Sequence, residues 1–218
     1  MAEFLLELYS EEIPHGLQIS ARKEIKQNLL KSLEEESIKF KSAEVYSTPT
    51  RLALLIRDLP SEIKIAAKEV KGPKVGVPEN IIEGFMRSHQ ITKKDLFEKI
   101  EEKGKFYCFK KLAKKIQTED LLTKLTPKAI GSVNWKKSMR WSDHDLMWGR
   151  PLRSILAIFN NKHLKFDYHH LTSTDGAIIV DSFIDKIKKV KNFKEYESLL
   201  KTNKIFLKQE DRKNNIIK

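Results

Sequence analysis

Three arginines and two tryptophans crowd into Arg140-Trp141 and Trp148-Gly149-Arg150-Pro151-Leu152-Arg153, on either side of a polar turn at Ser142-Asp143-His144-Asp145. Arginine offers a planar fork that pairs with carboxylate or phosphate through two parallel bonds, and its face stacks on aromatic rings. The cluster runs directly into Ser154-Ile155-Leu156-Ala157-Ile158-Phe159, an apolar stretch that reads as a buried strand. Charge gathered beside such a strand either recognises an anion or locks one part of the fold to another.

Other chemistry is sparse. The six histidines, at 15, 89, 144, 163, 169 and 170, include no pair at helical ligand spacing with a glutamate between. His169-His170 stands at an expected strand end, which sends the two rings to opposite faces and away from a shared metal. Ser142-Asp143-His144-Asp145 contains the residue types of a hydrolytic triad, yet triads are assembled in space from distant segments, so the contiguous run reads as a turn. Lys71-Gly72-Pro73-Lys74-Val75-Gly76 lacks the closing Ser or Thr of a phosphate-binding loop. Glu11 and Glu12 read as scaffold carboxylates that accept from backbone amides or pair with Arg51, and Arg51 reads either as that partner or as a phosphate contact. The single cysteine, Cys108, forbids an internal disulfide and reads as a small core hydrophobe. No catalytic residue and no metal site emerges.

The elements that would position the cluster follow from hydrophobic periodicity. Phe4, Leu6 and Leu8 alternate as in a half-buried strand, and Leu17, Ala21, Ile25, Leu29 and Leu33 form the apolar stripe of a helix over 17–35. Strands are expected at 43–47 and 52–58 and an extended segment at 63–70, ended by Lys71-Gly72-Pro73. Pro78 opens a helix with Ile82, Phe85, Met86 and His89 inward. A hairpin of 97–102 and 106–113 turns at Lys103-Gly104, and Thr118 caps a helix to about Val133. Strands near 154–159, 164–168 and 177–183 and a helix over 193–202 complete the chain. The fold class is α+β, with mixed, largely antiparallel sheets and about four helices packed on them. Two regions are expected, 1–135 and 136–218.

The 218 residues, 40% of them hydrophobic, suffice for a sizeable core. Neither an apolar run of membrane-spanning length nor a signal-peptide pattern is present, so a soluble, cytoplasmic protein without a membrane partner is expected. The net charge of +12 favours a polyanionic partner, although 34 of the 42 basic residues are lysines of the kind that ordinarily coat solvated faces.

The stretch from Lys137 to Phe159 resembles the beta subunit of the bacterial heterotetrameric glycyl-tRNA synthetase. The resemblance continues, in the family's order, at Leu6-Glu7-Leu8-Tyr9-Ser10-Glu11-Glu12-Ile13-Pro14, Ser47-Thr48-Pro49-Thr50-Arg51-Leu52-Ala53-Leu54, Lys71-Gly72-Pro73, Gly84-Phe85-Met86-Arg87 and Lys103-Gly104-Lys105-Phe106-Tyr107. The family's beta subunit is several times longer, so the resemblance implies an N-terminal portion that lacks the later RNA-binding domains. It also implies an alpha2beta2 tetramer in which the alpha subunits use ATP, with Mg, to activate glycine, while the beta subunits support binding of glycine tRNA and assembly. No cofactor is expected on this chain. Arg51, Lys71, Arg87, Arg140, Arg150 and Arg153 stand in the matching blocks and are the candidate contacts for tRNA or a neighbouring subunit. Asp175-Gly176-Ala177-Ile178-Ile179-Val180-Asp181 departs from the family's basic aromatic block, whereas Gln209 to Lys213 resembles the start of a family helix. The alternative reading is a stand-alone basic RNA-binding or scaffolding fragment without ligase activity.

Overall fold

The computed structural model describes residues 2–65, 68–101, 104–111, 114–181 and 184–217. The opening strand, β1 (Ala2–Ser10), is buried along both faces rather than one. It is followed by α1 (His15–Glu35), β2 (Ser42–Thr48) and β3 (Arg51–Leu59). Ala21, Ile25, Leu29 and Leu33 of α1 are buried, and the helix lies against β2 and β3. Leu29 and Leu33 are wholly enclosed, and burying each leucine contributes about 1.5–3 kcal/mol. One face of the sheet is thus sealed by the stripe expected from the sequence.

The chain divides into two compact units, one of residues 63–116 and the other of 1–62 with 117–218. The smaller unit carries β4 (Glu62–Ile65), β5 (Lys68–Lys74), α2 (Glu79–His89), β6 (Leu96–Glu101), β7 (Gly104–Lys111) and β8 (Lys114–Gln117). β7 is the centre of a three-stranded antiparallel sheet in the order β5-β7-β6, and β4 pairs with β8. Phe85 and His89 of α2 pack on Phe109, with ring centroids 5.9 and 5.1 Å away. β5 runs through Lys71-Gly72-Pro73, where an end was expected. Its register shifts between Lys71 and Lys74, so Pro73 falls in an irregularity where its missing N–H costs no ladder bond. A Cβ at Gly72 would lie 2.6 Å from the Phe85 ring. Cys108 is buried in β7 as expected, while Glu102, Lys103, Leu112 and Ala113 of the expected hairpin lie outside the described residues.

Beyond this unit come α3 (Thr118–Gly131), the short pair β9 (Met139–Arg140) and β10 (Met147–Trp148), and β11 (Leu152–Phe159). Thr118 does not cap α3: the preceding Gln117 holds that position without a side-chain bond, and the Thr118 backbone N–H donates to the Ser61 carbonyl at 3.0 Å. β11 pairs antiparallel with β1, as does β3. With β12 (Lys162–His163) the main sheet reads β12-β11-β1-β3-β2. Segments on both sides of residue 135 therefore share one sheet, and the compact units do not follow the division expected there.

Of the expected strand at 164–168 only the last two residues are strand, as β13 (Asp167–Tyr168), which pairs with β14 (Leu171–Thr172). The Ser173 hydroxyl accepts from Phe166 N and donates to the Leu164 carbonyl, 2.9 and 2.8 Å away, so a side chain replaces ladder partners. β15 (Gly176–Asp181) and β16 (Ile184–Lys189) form a hairpin, of which Phe183 lies outside the described residues. α4 (Phe193–Thr202) is capped by the Asn192 side chain accepting from Glu195 N, and α5 (Gln209–Ile217) begins where a helix start was expected. Ala177, Ile179, Phe193, Tyr196 and Leu200 cover the second face of the sheet against Leu5, Ala53, Leu55, Leu156 and Ile158. The class is α+β with antiparallel sheets, and five α-helices stand among the described residues instead of about four. None of them is long and apolar enough to cross a membrane.

Candidate functional site

Cross-strand register puts Tyr9, Arg51 and Ser154 in one row of the main sheet and Glu7, Ala53 and Leu156 in the next, all on the face covered by α4. Arg51 and Glu7 are both sealed from solvent, and the Arg51 Nε stands 3.0 Å from Glu7 Oε2 as an ion pair. The Tyr196 hydroxyl of α4 donates to the same carboxylate. Arg51 also donates to the Ile178 carbonyl and, at 3.0 Å, to Thr50 Oγ1, and its guanidinium lies 4.6 Å from the centroid of the Tyr9 ring. Burial pushes the Glu7 carboxyl up, against the opposing pull of Arg51 and Tyr196, and burial beside that carboxylate holds the Tyr196 hydroxyl well above its ordinary range. Of the two readings of Arg51, the structure selects the ion pair. Its partner is Glu7 rather than Glu11 or Glu12. Glu7 sits in the alternating sequence Leu6-Glu7-Leu8, whose pattern of a half-buried strand does not mark it as a core residue.

Immediately beyond this row the surface opens. Ser10 N donates to the Thr50 carbonyl (2.9 Å), Glu11 N to the Pro151 carbonyl (3.0 Å) and Ile13 N to the Pro49 carbonyl (2.7 Å), so backbone bonds tie three separate segments together. They wall an open cleft of ≈ 680 Å³ lined by Glu11, Glu12, Ile13, Pro14, His15, Gln18, Pro49, Trp141, Arg150 and Pro151. Glu11 to Pro14, Pro49, and Trp141 with Arg150 and Pro151 belong to three of the blocks that carry the family resemblance, and His15 and Gln18 follow from α1. Part of the cluster of arginines and tryptophans ties segments of the fold together. Arg153 locks the fold, reaching Glu11 at 3.2 Å and Asp185 of β16. Trp148 is buried edge-on against Trp135, with centroids 4.8 Å apart, and its carbonyl accepts from Trp141 Nε1 at 3.2 Å. Arg150 instead is exposed on the cleft wall, and among the described residues it has no ion-pair partner.

The remaining candidates are dispersed. Arg140 is exposed, 3.7 Å from Asp145. In the smaller unit, Arg87 pairs with Glu83 along α2 at 3.2 Å, and the Lys71 ammonium lies 3.6 Å above the Phe106 ring. Ser142-Asp143-His144-Asp145 is a turn with Ser142 at φ 56°, and the His144 ring stacks on His170 at 3.6 Å. Desolvation, then His144 and His169, lower the His170 pKa. His169 turns to Tyr168, so the adjacent rings do part company. No group of three or more His, Cys, Asp or Glu that could hold a metal occurs among the described residues. The cleft thus offers an open guanidinium, an indole, a histidine and carboxylates: groups for binding a polar, partly anionic surface, without a nucleophile held against a base.

Comparison with known proteins bears on these blocks directly. The family model described as glycyl-tRNA synthetase beta subunit matches residues 4–218. Curated glycine–tRNA ligase beta subunits of Rickettsia peacockii and Rickettsia akari are 34% identical over 215 residues and 35% identical over 212 residues. That of Rickettsia prowazekii is 34% identical over 209 residues. These matches cover 96–97% of this chain and 31–32% of each relative, so the chain spans about a third of their length.

Proposed function

The chain belongs to the glycyl-tRNA synthetase beta subunit family, and from that premise we propose that it acts as the N-terminal part of the beta subunit of a heteromeric glycine–tRNA ligase. In this reading it supports tRNA binding and subunit assembly during ATP-dependent attachment of glycine to its tRNA. The use of ATP with Mg, and the catalytic residues, belong to the alpha subunit of an alpha2beta2 assembly working in the cytoplasm.

The observation that carries the reading is the convergence of three family blocks on one cleft whose arginines divide their labour. Arg51 and Arg153 are consumed by carboxylates of the chain itself. Arg150 is left facing solvent beside Trp141. An open guanidinium next to an indole, held by a stiff backbone, suits either an RNA phosphate or a carboxylate of another subunit.

Light scattering coupled to gel filtration tests assembly, using this chain mixed with the cognate alpha subunit, with and without glycine tRNA. Co-elution as a defined complex is the expected result, and separate elution of a folded chain under both conditions would overturn the assembly role. Arg150→Ala is expected to weaken the affinity for glycine tRNA by about 1–3 kcal/mol, as for loss of a charge-assisted bond. Unchanged affinity would remove Arg150 from the RNA contacts.

A further inference from the structure

A second pocket lies along the outer strand of the main sheet and shares no residue with the cleft. It is open, with a volume of ≈ 510 Å³, and its walls come from Arg22 of α1, from Glu44 to Ser47 of β2 and from the stretch Leu207 to Arg212 that leads into α5. β2 closes the order β12-β11-β1-β3-β2, so the pocket runs beside an edge whose outward N–H groups no further strand takes.

Two arginines share this pocket, and neither is neutralised. Arg212 is fixed by its own chain, its Nη1 donating to the Phe206 and Leu207 carbonyls at 2.7 and 2.9 Å. Its Nη2 and Nε find no hydrogen-bond partner among the described residues. Arg22, half-buried on α1, makes one weak contact, with Ser47 Oγ at 3.5 Å. Desolvation and then the charge of Arg22 hold the Arg212 pKa below its ordinary value, the mark of like charges kept near each other and partly out of water.

The carboxylates around the pocket are engaged elsewhere. Glu44 pairs with Arg57 and accepts from the Tyr46 hydroxyl, Glu197 takes Lys208 at 2.8 Å, and Asp211 stands 3.7 Å from Lys201. Glu210 lines the pocket but is exposed, and among the described residues it pairs with neither arginine. Two unmatched guanidinium groups in one pocket repel, and an anion between them turns that repulsion into charge-assisted bonds. The Ser47 hydroxyl accepts from Arg22 and keeps its own proton to donate. A carboxylate presents two oxygens, enough for one guanidinium fork, whereas a tetrahedral oxyanion presents enough for both forks and the hydroxyl together.

We propose that this pocket binds a compact tetrahedral oxyanion of the phosphate class, held by Arg22, Arg212 and the Ser47 hydroxyl. The bound ion ties α5 to α1 across the edge of β2, so occupancy registers as stability of the fold. The site does not depend on how the cleft is read.

The test uses the full chain and inorganic phosphate, with ionic strength held constant by chloride. Calorimetric titration gives the affinity, and the melting temperature reports the stabilisation. Saturable binding of one phosphate per chain is expected, with a rise in melting temperature that matched chloride does not produce. Arg22→Gln should weaken phosphate binding about tenfold, as for loss of one charge-assisted bond. In chloride alone the same variant should melt no lower than the parent, because it gives up one weak contact and relieves a repulsion. Arg22→Lys, which keeps the charge but not the fork, should recover only part of the affinity. Absence of phosphate binding by the parent would overturn the proposal, as would affinity unchanged in Arg22→Gln or melting that follows ionic strength alone. So would an Arg22→Gln variant destabilised equally in chloride and in phosphate, because Arg22 would then serve the scaffold. A parent that ignores phosphate while Arg22→Gln loses affinity for glycine tRNA would likewise overturn it, and would assign the arginines to nucleic acid instead.

Discussion

The two basic surfaces of this chain are built on opposite principles. In the main sheet, arginine is used where its charge can be matched by carboxylates of the fold: Arg51 in a sealed pair with Glu7, and Arg153 between Glu11 and Asp185. On one face of the smaller sheet, lysines instead lie over a phenylalanine, with the Lys71 and Lys74 ammonium groups 3.6 and 5.9 Å from the Phe106 ring centroid, and Lys99 pairs with Glu69. A buried guanidinium must have its fixed donors satisfied, which arginine's planar fork allows, whereas an ammonium on a flexible stem stays hydrated until a partner arrives. Basic residues inside a fold are therefore poor guides to what the fold binds, even when they stand in the most recognisable motifs.

The sharpest way to break this contrast is to remove the buried partner. Arg51→Met should destabilise the protein by about 3–5 kcal/mol, because it strands the Glu7 carboxylate in the core. Urea unfolding measures it, and a loss below 1 kcal/mol would mean that water reaches the pair. The double variant Glu7→Leu/Arg51→Met should recover much of the loss, because no unpaired charge then remains. Tyr196→Phe deletes one donor to the same carboxylate and keeps the ring, so a smaller loss of about 1–3 kcal/mol is expected in the same assay. Arg150→Ala should alter stability by no more than about 0.5 kcal/mol, as for a solvent-facing side chain. A drop comparable with that of Arg51→Met would assign Arg150 to the scaffold.

The smallest effect concerns the stacked His144 and His170. Because the folded protein holds the His170 pKa below its ordinary value of 6.5, the unfolded chain takes up that proton first as the pH falls. The group's contribution is fully present above pH 6.5 and is lost as the pH drops from there through the folded pKa. His170→Asn should flatten the fall in melting temperature between neutral and mildly acidic pH. An identical pH profile in parent and variant would show that the stack does not perturb the ring.

Much of this was legible in residue order. The stripe of α1, the span of α4, the antiparallel α+β class and the buried Cys108 all follow from local periodicity, which a helix or strand imposes on its own neighbours. The strand at Leu6-Glu7-Leu8 was misread for a physical reason. Alternation reports one buried face, but a central strand roofed on both sides buries a polar residue at full depth if a partner waits there. That partner, Arg51, comes from a different strand, and the second donor, Tyr196, from a helix 189 positions further on. Composition likewise does not mark residues 63–116 as a compact unit of their own, nor the pairing of β1 with β11 across residue 135.

What the sequence determined by itself was the kind of protein this is: its periodicities fixed the elements, and its ordered blocks fixed the family. Only the tertiary structure decided which arginines are spent and which are open, because two charges far apart in the chain neutralise each other when the sheet brings them within about 3 Å, where Coulomb attraction in a dry interior outweighs anything their sequence neighbours supply.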